Sequence, residues 1–290
     1  MKTCISLYSY QKLVKSGAMT HYEAIDKIKE LEMDAVELQI NAELVPDGKN
    51  VSEYIKELCA YAKSIGLEVP ILTVNSNLYC EEPEAEILRL CEMIDTASQC
   101  DIPLMRHDVT YCFLGTESTK TPKKIIEAVV PHIRRLADYA KERGVKICSE
   151  NHGRIMQDSD RMEELFYQVD HENYGLLCDM GNFGAADENY VRAVSRLLPQ
   201  VCFVHAKDAF HRSGMMYDPG KGFRRTRGGD FRRATIFGHG DVPTYQILYA
   251  IKKSGYDGYV SIEFEGIEDP LMAVEISADN LKRMLADLEW

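Results

Sequence analysis

Short apolar runs alternate with longer amphipathic ones along almost the whole chain. Eight short runs stand out: 3–9 (TCISLYS), 34–40 (DAVELQI), 68–74 (EVPILTV), 102–108 (IPLMRHD), 145–151 (VKICSEN), 174–180 (YGLLCDM), 201–208 (VCFVHAKD) and 258–264 (GYVSIEF). Each is rich in branched, aromatic or other apolar residues, as a strand buried on both faces must be. The stretches between them read as helices. In 21–33, Ala24, Ile25, Ile28 and Leu31 fall on one stripe. Segment 123–144 closes at Gly144, a C-terminal helix signal, and Pro131 inside it is expected to kink or split the helix. Segment 158–169 opens with an Asp-Ser cap and carboxylates in its first turn, and 270–288 forms the last helix.

Eight strands, each followed by a helix, predict a parallel sheet closed into a (β/α)8 TIM barrel, one domain over residues 1–290. The rival, an open doubly wound sheet, ordinarily carries a glycine-rich first βα turn, and SLYSYQKLVKSG supplies none. One stretch, 209–240, looks irregular and is rich in Gly and Arg. It falls between the seventh and eighth strands, where a barrel keeps an active-site loop.

Composition narrows the partners. Hydrophobic residues make up 45% and charged ones 28%, values of a soluble globular chain, and the net charge is −12. Such a surface repels phosphate backbones, so nucleic acid is not an expected partner. No apolar run is long enough for a membrane span or a signal peptide. The nine cysteines form no CxxC pair, and Cys4, Cys148, Cys178 and Cys202 lie within strand-like runs. A reduced, cytoplasmic protein is the expectation.

In a TIM barrel the chemistry gathers at the C-terminal strand ends. Strand four brings Arg106, His107 and Asp108 there, and strand five brings Glu150, Asn151 and His152. Strand six ends in Asp179, Gly181 and Asn182, and strand seven in His205, Lys207 and Asp208. Strand eight ends in Glu263, with Glu265 two residues on. One charged strand end is ordinarily solvated rim, and a lone histidine ordinarily has a satisfied neighbour. Two carboxylates, an imidazole and a third carboxylate on four successive strands would need four coincidences. Three negative charges converging on one point call for a cation. Three oxygens and one nitrogen suit a divalent ion such as Mn²⁺, Mg²⁺ or Co²⁺. His205 is therefore read as a ligand, with Lys207 and Asp208 beside the substrate.

The segments SENHG, CDMGN, HAKD, GHGDV and VSIEFEG resemble the xylose-isomerase-like TIM-barrel superfamily, most clearly from 145 to 266. That superfamily includes sugar and sugar-phosphate isomerases, ketose 3-epimerases, inosose dehydratases and, more distantly, endonuclease IV. The resemblance implies one divalent metal, Mn²⁺ foremost with Mg²⁺, Co²⁺ or Zn²⁺ as alternatives, held by Glu150, Asp179, His205 and Glu263. It also implies that Glu150 and Glu263 move protons at a carbon next to a carbonyl. His107, His152, Asn182, Lys207, Asp208, Arg225 and Arg227 are the expected substrate contacts. Epimerase members commonly carry a histidine where this chain has Asn182. The extra histidines of the three-zinc endonuclease are also missing, which with the acidic charge argues against DNA repair.

Two enzyme classes remain open. The first expectation is an isomerase or epimerase acting on a ketose or related sugar or polyol. The other is a lyase on a keto-sugar, similar to inosose dehydratase or to the metal-bearing subunit of C-glycoside deglycosidases. A binding barrel or partner subunit is a third reading, and a homo-oligomer is compatible with all three. The six arginines between 211 and 233 fit an anionic substrate group or pairing with the protein's own carboxylates equally well. In GHGDV, Asp241 is expected to cap the following helix, and His239 to pack in the loop.

Overall fold

The computed structural model describes residues 1–290. In chain order its strands are β1 (Lys2–Ser6), β2 (Ala35–Gln39), β3 (Ile71–Val74), β4 (Leu104–His107), β5 (Lys146–Glu150), β6 (Tyr174–Asp179) and β7 (Val201–Ala206). There follow β8 (Asp208–Arg212), β9 (Arg224–Arg225), β10 (Phe231–Thr235) and β11 (Tyr259–Ile262). Eight of them, β1 to β7 and β11, close into one barrel in which every neighbouring pair is parallel. The eight predicted runs overlap the eight barrel strands one for one, and each strand is shorter than its run at one or both ends. Leu7–Tyr10, for example, is a 3₁₀ turn, not the end of β1.

Side chains alternate across each strand, and the alternation builds two distinct cores. Outward residues meet the helices in one cluster of 68 buried residues. Inward residues Cys4, Ala35, Ile71, Leu104, Cys148, Leu177 and Phe203 form a second cluster that plugs the barrel. Two positions further along the strands, the inward side chains are polar: Glu37, Thr73, Arg106, Glu150, Asp179 and His205, all buried. The barrel is thus dry at its middle and charged at its mouth.

The helices follow the sequence reading closely. Helix His21–Glu30 starts at Thr20, whose hydroxyl and Glu23 form a reciprocal capping box. Helix Ser159–Val169 is capped by Asp158 as expected. Two details come out differently. Pro131 does not divide its helix, which runs from Pro122 to Lys141. Asp241 does not cap the next helix, Thr244–Lys253, whose cap is Pro243 without a side-chain hydrogen bond. The Asp241 carboxylate instead accepts from the His211 N–H at 2.6 Å and the Arg212 guanidinium at 2.8 Å. His239 is exposed and does not line the cavity at the barrel mouth.

The largest difference lies in 209–240. The stretch is a small antiparallel sheet of order β8-β10-β9, standing above the barrel between β7 and helix Thr244–Lys253. Its strands lack long apolar runs because Ala209, Phe231 and Ala234 are their only buried apolar residues. Arginines, a histidine and the buried polar Asp208 and Thr235 fill most of the other positions and hide the alternation.

Candidate metal centre and active-site cavity

Asp179 and His205 are inward residues of β6 and β7 and pair directly in the strand register. Glu150 ends β5, and Glu263 follows the last residue of β11. One ligand atom from each of these four buried residues lies within 4.8 Å of the others. The Nδ1 of His205 stands 3.6 Å from Glu263 Oε2 and 3.9 Å from Glu150 Oε1.

The donor set fits a divalent cation. His205 Nδ1 is buried and lacks a hydrogen-bond partner, and the buried Asp179 Oδ2 and Glu263 Oε2 share only the Lys207 ammonium. A buried ring nitrogen without a partner is costly, and this one faces carboxylate oxygens. The other atoms of these residues are held. Asp179 Oδ1 accepts from the N–H groups of Gly181 and Asn182 at 2.8 and 3.0 Å. His205 Nε2 meets both oxygens of Glu37 at 2.9 and 3.1 Å. A histidine whose one ring nitrogen is fixed by a carboxylate presents the other as a metal donor.

Two cations, Arg106 of β4 and Lys207 just after β7, offset part of the negative charge. Lys207 Nζ lies 2.5 Å from Glu263 Oε2 and 3.1 Å from Asp179 Oδ2. Arg106 reaches Glu150 Oε2 at 2.5 Å and grips both oxygens of Asp108 at 2.7 and 2.9 Å. Burial alone would raise the Glu150 carboxyl, but the Arg106 guanidinium outweighs it and holds that carboxyl well below the usual range. For Glu263 burial prevails over the pull of Lys207, and its carboxyl is pushed up. His205 is disfavoured as a cation by burial, yet Glu37 and Glu263 overcome this and raise it to about 10.

Above the centre opens a cavity of about 1540 Å³. His152, Asn182, Lys207, Arg225 and Arg227 line it, as do Tyr8, Tyr111 and Phe264. His152 Nδ1 is 2.8 Å from Asp108 Oδ1, and Asn182 donates to Glu150 Oε1 at 2.9 Å. Two expected contacts lie elsewhere. His107 alternates outward from Arg106, stacks on Tyr174 with centroids 6.2 Å apart, and does not line the cavity. Asp208 is 1% exposed and its carboxylate is fully engaged by backbone. It accepts from the N–H groups of Ala209, Gly238, Gly240 and Val242 at 2.7 to 3.2 Å. It closes the loop behind β8 and cannot turn to a substrate without abandoning four donors.

Two important residues were not singled out by the sequence. Glu37 sits in the middle of β2, fully buried, with Thr73 and Ser261 donating to it at 2.6 and 2.7 Å. The only hint was a carboxylate within an otherwise apolar run. Arg106 was visible as a strand-end cation, but its pairing with Glu150 depends on the register of β4 and β5.

Known proteins resemble the chain to different depths. The chain is 27% identical over 155 residues to an inosose dehydratase of Lacticaseibacillus casei, covering 51% of this chain and 49% of that one. It therefore spans about half the length of the curated relatives it matches. The fold is also that of the IolI protein with a bound zinc atom, at 18% identity and a TM-score of 0.73 over 99% of this chain and 98% of that one. A D-tagatose 3-epimerase-like protein superposes equally well, at 19% identity and a TM-score of 0.73 over 100% and 98% of the two chains. The description of the xylose isomerase-like TIM barrel matches residues 25–287, nearly the whole chain, and the protein belongs to that family.

Proposed function

We propose that the protein is a divalent-metal-dependent lyase that removes a proton next to the carbonyl of a sugar-like substrate and expels the group on the following carbon. Glu150, Asp179, His205 and Glu263 would hold the ion, with Mn²⁺ the first choice and Mg²⁺, Co²⁺ or Zn²⁺ alternatives. When bound, such an ion supplies Lewis acidity that stabilises negative charge on the carbonyl oxygen.

The observation that carries this reading is the unequal treatment of the two glutamates. Both oxygens of Glu150 are engaged, by Arg106 and by Asn182. Glu263 is engaged through Oε2 alone, by the Lys207 ammonium at 2.5 Å, and no group donates to its other oxygen. One carboxylate is thus free to move a proton, and an elimination needs one base. Glu263 takes the proton, and the electron pair of the broken C–H bond becomes the new C=C bond as the neighbouring C–O bond breaks. The leaving oxygen departs with a proton from Lys207, the cation beside Glu263. The name of the Lacticaseibacillus casei relative, an inosose dehydratase, supports the same choice.

An isomerase or epimerase is the second reading. It is favoured by the position of Glu150, whose Oε1 stands 3.9 Å from the same His205 Nδ1 that Glu263 Oε2 approaches to 3.6 Å. Freed from Arg106, Glu150 would return a proton that Glu263 had removed. Mass separates the two. Incubated with keto-inositols, ketoses and keto-glycosides, the Mn²⁺-loaded protein should yield a product lighter by water or by the aglycone. A product of unchanged mass and altered configuration would establish the second reading. Unchanged substrates throughout, with the ion still held, would leave a binding protein.

A further inference from the structure

The cavity above the metal centre is basic in a protein of net charge −12. Lysines and arginines dominate its charged lining, and Glu265 is its one acidic residue. Most arginines of the small sheet are already engaged. Arg212 pairs with Asp241, and Arg233 with Glu268. Arg227 binds Asp158 and the Arg154 carbonyl, each at 2.6 Å. Arg225 donates to the Gly229 carbonyl at 2.7 Å and lies over the Phe231 ring.

Arg224 and Arg232 are different. Neither has a carboxylate within ion-pair distance, although both line the cavity. The Nε and Nη2 atoms of Arg232 are buried and have no hydrogen-bond partner. The antiparallel register of β9 and β10 sets Arg224 directly opposite Arg232, so both side chains leave the sheet on the same face. Like charges in that position repel, with Glu265 the one carboxylate of the cavity to offset them, and guanidinium nitrogens buried without acceptors are costly. A carboxylate or phosphate between them would remove both penalties. The site also lies against the metal centre. Arg232 Nη2 is 3.2 Å from where a Cβ on Gly181 would stand, and the Gly181 N–H holds Asp179 Oδ1. A residue larger than glycine there would press on the guanidinium and on the Lys207 carbonyl.

From this pair we infer that the ligand of the cavity carries an oxyanion, a carboxylate or a phosphate, which Arg232 and Arg224 clamp beside the reacting sugar carbons. The inference rests on the proposed function only for the sugar-like character of the ligand. Arg225 and Arg227, singled out by the sequence, serve the loop's own structure.

The test is direct binding, independent of turnover. Titration calorimetry on the full-length protein, with and without Mn²⁺, would use D-glucuronate, D-glucose 6-phosphate and D-glucose as probes. At least one acidic probe should bind roughly tenfold or more tighter than glucose, the scale of a charge-assisted bidentate contact. Whichever acid prevails distinguishes carboxylate from phosphate. Arg232→Met should abolish the preference. Arg224→Met, an exposed position that cannot upset the core, should weaken it several-fold, and the surface variant Arg196→Met should leave it intact. Equal binding of all three probes, or a preference that survives Arg232→Met, overturns the inference. An acidic preference without elimination of any keto-sugar would fault the proposed function and leave the anion site standing. Elimination without the preference would do the reverse.

Discussion

At the scale of single residues, the centre depends on which atoms are left without partners. Glu37 occupies His205 Nε2 and so directs Nδ1 towards the three carboxylates. Glu37→Gln keeps the shape and the contacts to Thr73 and Ser261, but its amide cannot reproduce the charge. Metal affinity, measured by competition with a chelator, should fall by about 10–100-fold, as for other carboxylates behind a ligating histidine. Unchanged affinity would show that packing alone orients the ring. Glu263→Gln probes chemistry instead. It should keep measurable ion and substrate binding while kcat falls by about 10²–10⁴-fold, the range of general acid–base catalysis. A substrate deuterated at the carbon next to the carbonyl should lose that label to solvent with the parent protein and keep it with this variant. Normal exchange in Glu263→Gln would make it a ligand only. The four proposed ligands were legible because each ends an apolar run at barrel spacing. Glu37 was not, since its importance comes from a neighbour 168 residues away that only barrel closure supplies.

At the scale of elements, the barrel strands were legible and the added sheet was not, for one physical reason. Parallel strands covered on both faces must be apolar throughout, whereas β8, β9 and β10 have one face over a polar cavity and keep arginines there. What fixes that sheet is the Asp208 carboxylate, which gathers four backbone N–H groups from two ends of the excursion. Asp208→Ala would leave several of these buried without acceptors and should cost about 3–5 kcal/mol in urea unfolding. A loss below 1 kcal/mol would mean the loop finds other acceptors. A second element carries a pH signature. His21 opens helix His21–Glu30, is 3% exposed, and contacts the Tyr54 hydroxyl at 3.1 Å. Burial lowers its pKa from 6.5 to about 4. The folded state therefore holds His21 neutral where the unfolded chain has already taken up a proton. Its contribution is complete above pH 6.5 and is lost as pH falls from 6.5 towards 4. The parent protein should lose about 1–3 kcal/mol more over that window than His21→Gln. Parallel stability curves for the two would place the acid sensitivity elsewhere.

At the scale of the whole molecule, the barrel separates what holds it together from what it is built to bind. The plug of Cys4, Ala35, Ile71, Leu104, Cys148, Leu177 and Phe203 and the larger outer cluster contain no member of the charged centre. Loss of the ion should therefore leave the barrel folded, while leaving three carboxylates and an imidazole facing one another with only Arg106 and Lys207 in relief. An ion that binds only the folded barrel stabilises it by mass action, by about 4 kcal/mol at a thousandfold excess over Kd. For a chain of this size that corresponds to a rise in melting temperature of roughly 5–10 °C. Elemental analysis should find about one divalent ion per chain, as a single four-ligand centre requires. Chelation should lower the melting temperature by the amount the ion had raised it, without loss of far-ultraviolet circular dichroism at 25 °C. Asp179→Ala and His205→Ala should each abolish the rise and leave the circular dichroism unchanged. Full metal occupancy in both variants would rule out this ligand set. Unfolding on chelation would contradict the independence of the apolar plug, and would make the ion part of the fold as well as of the site.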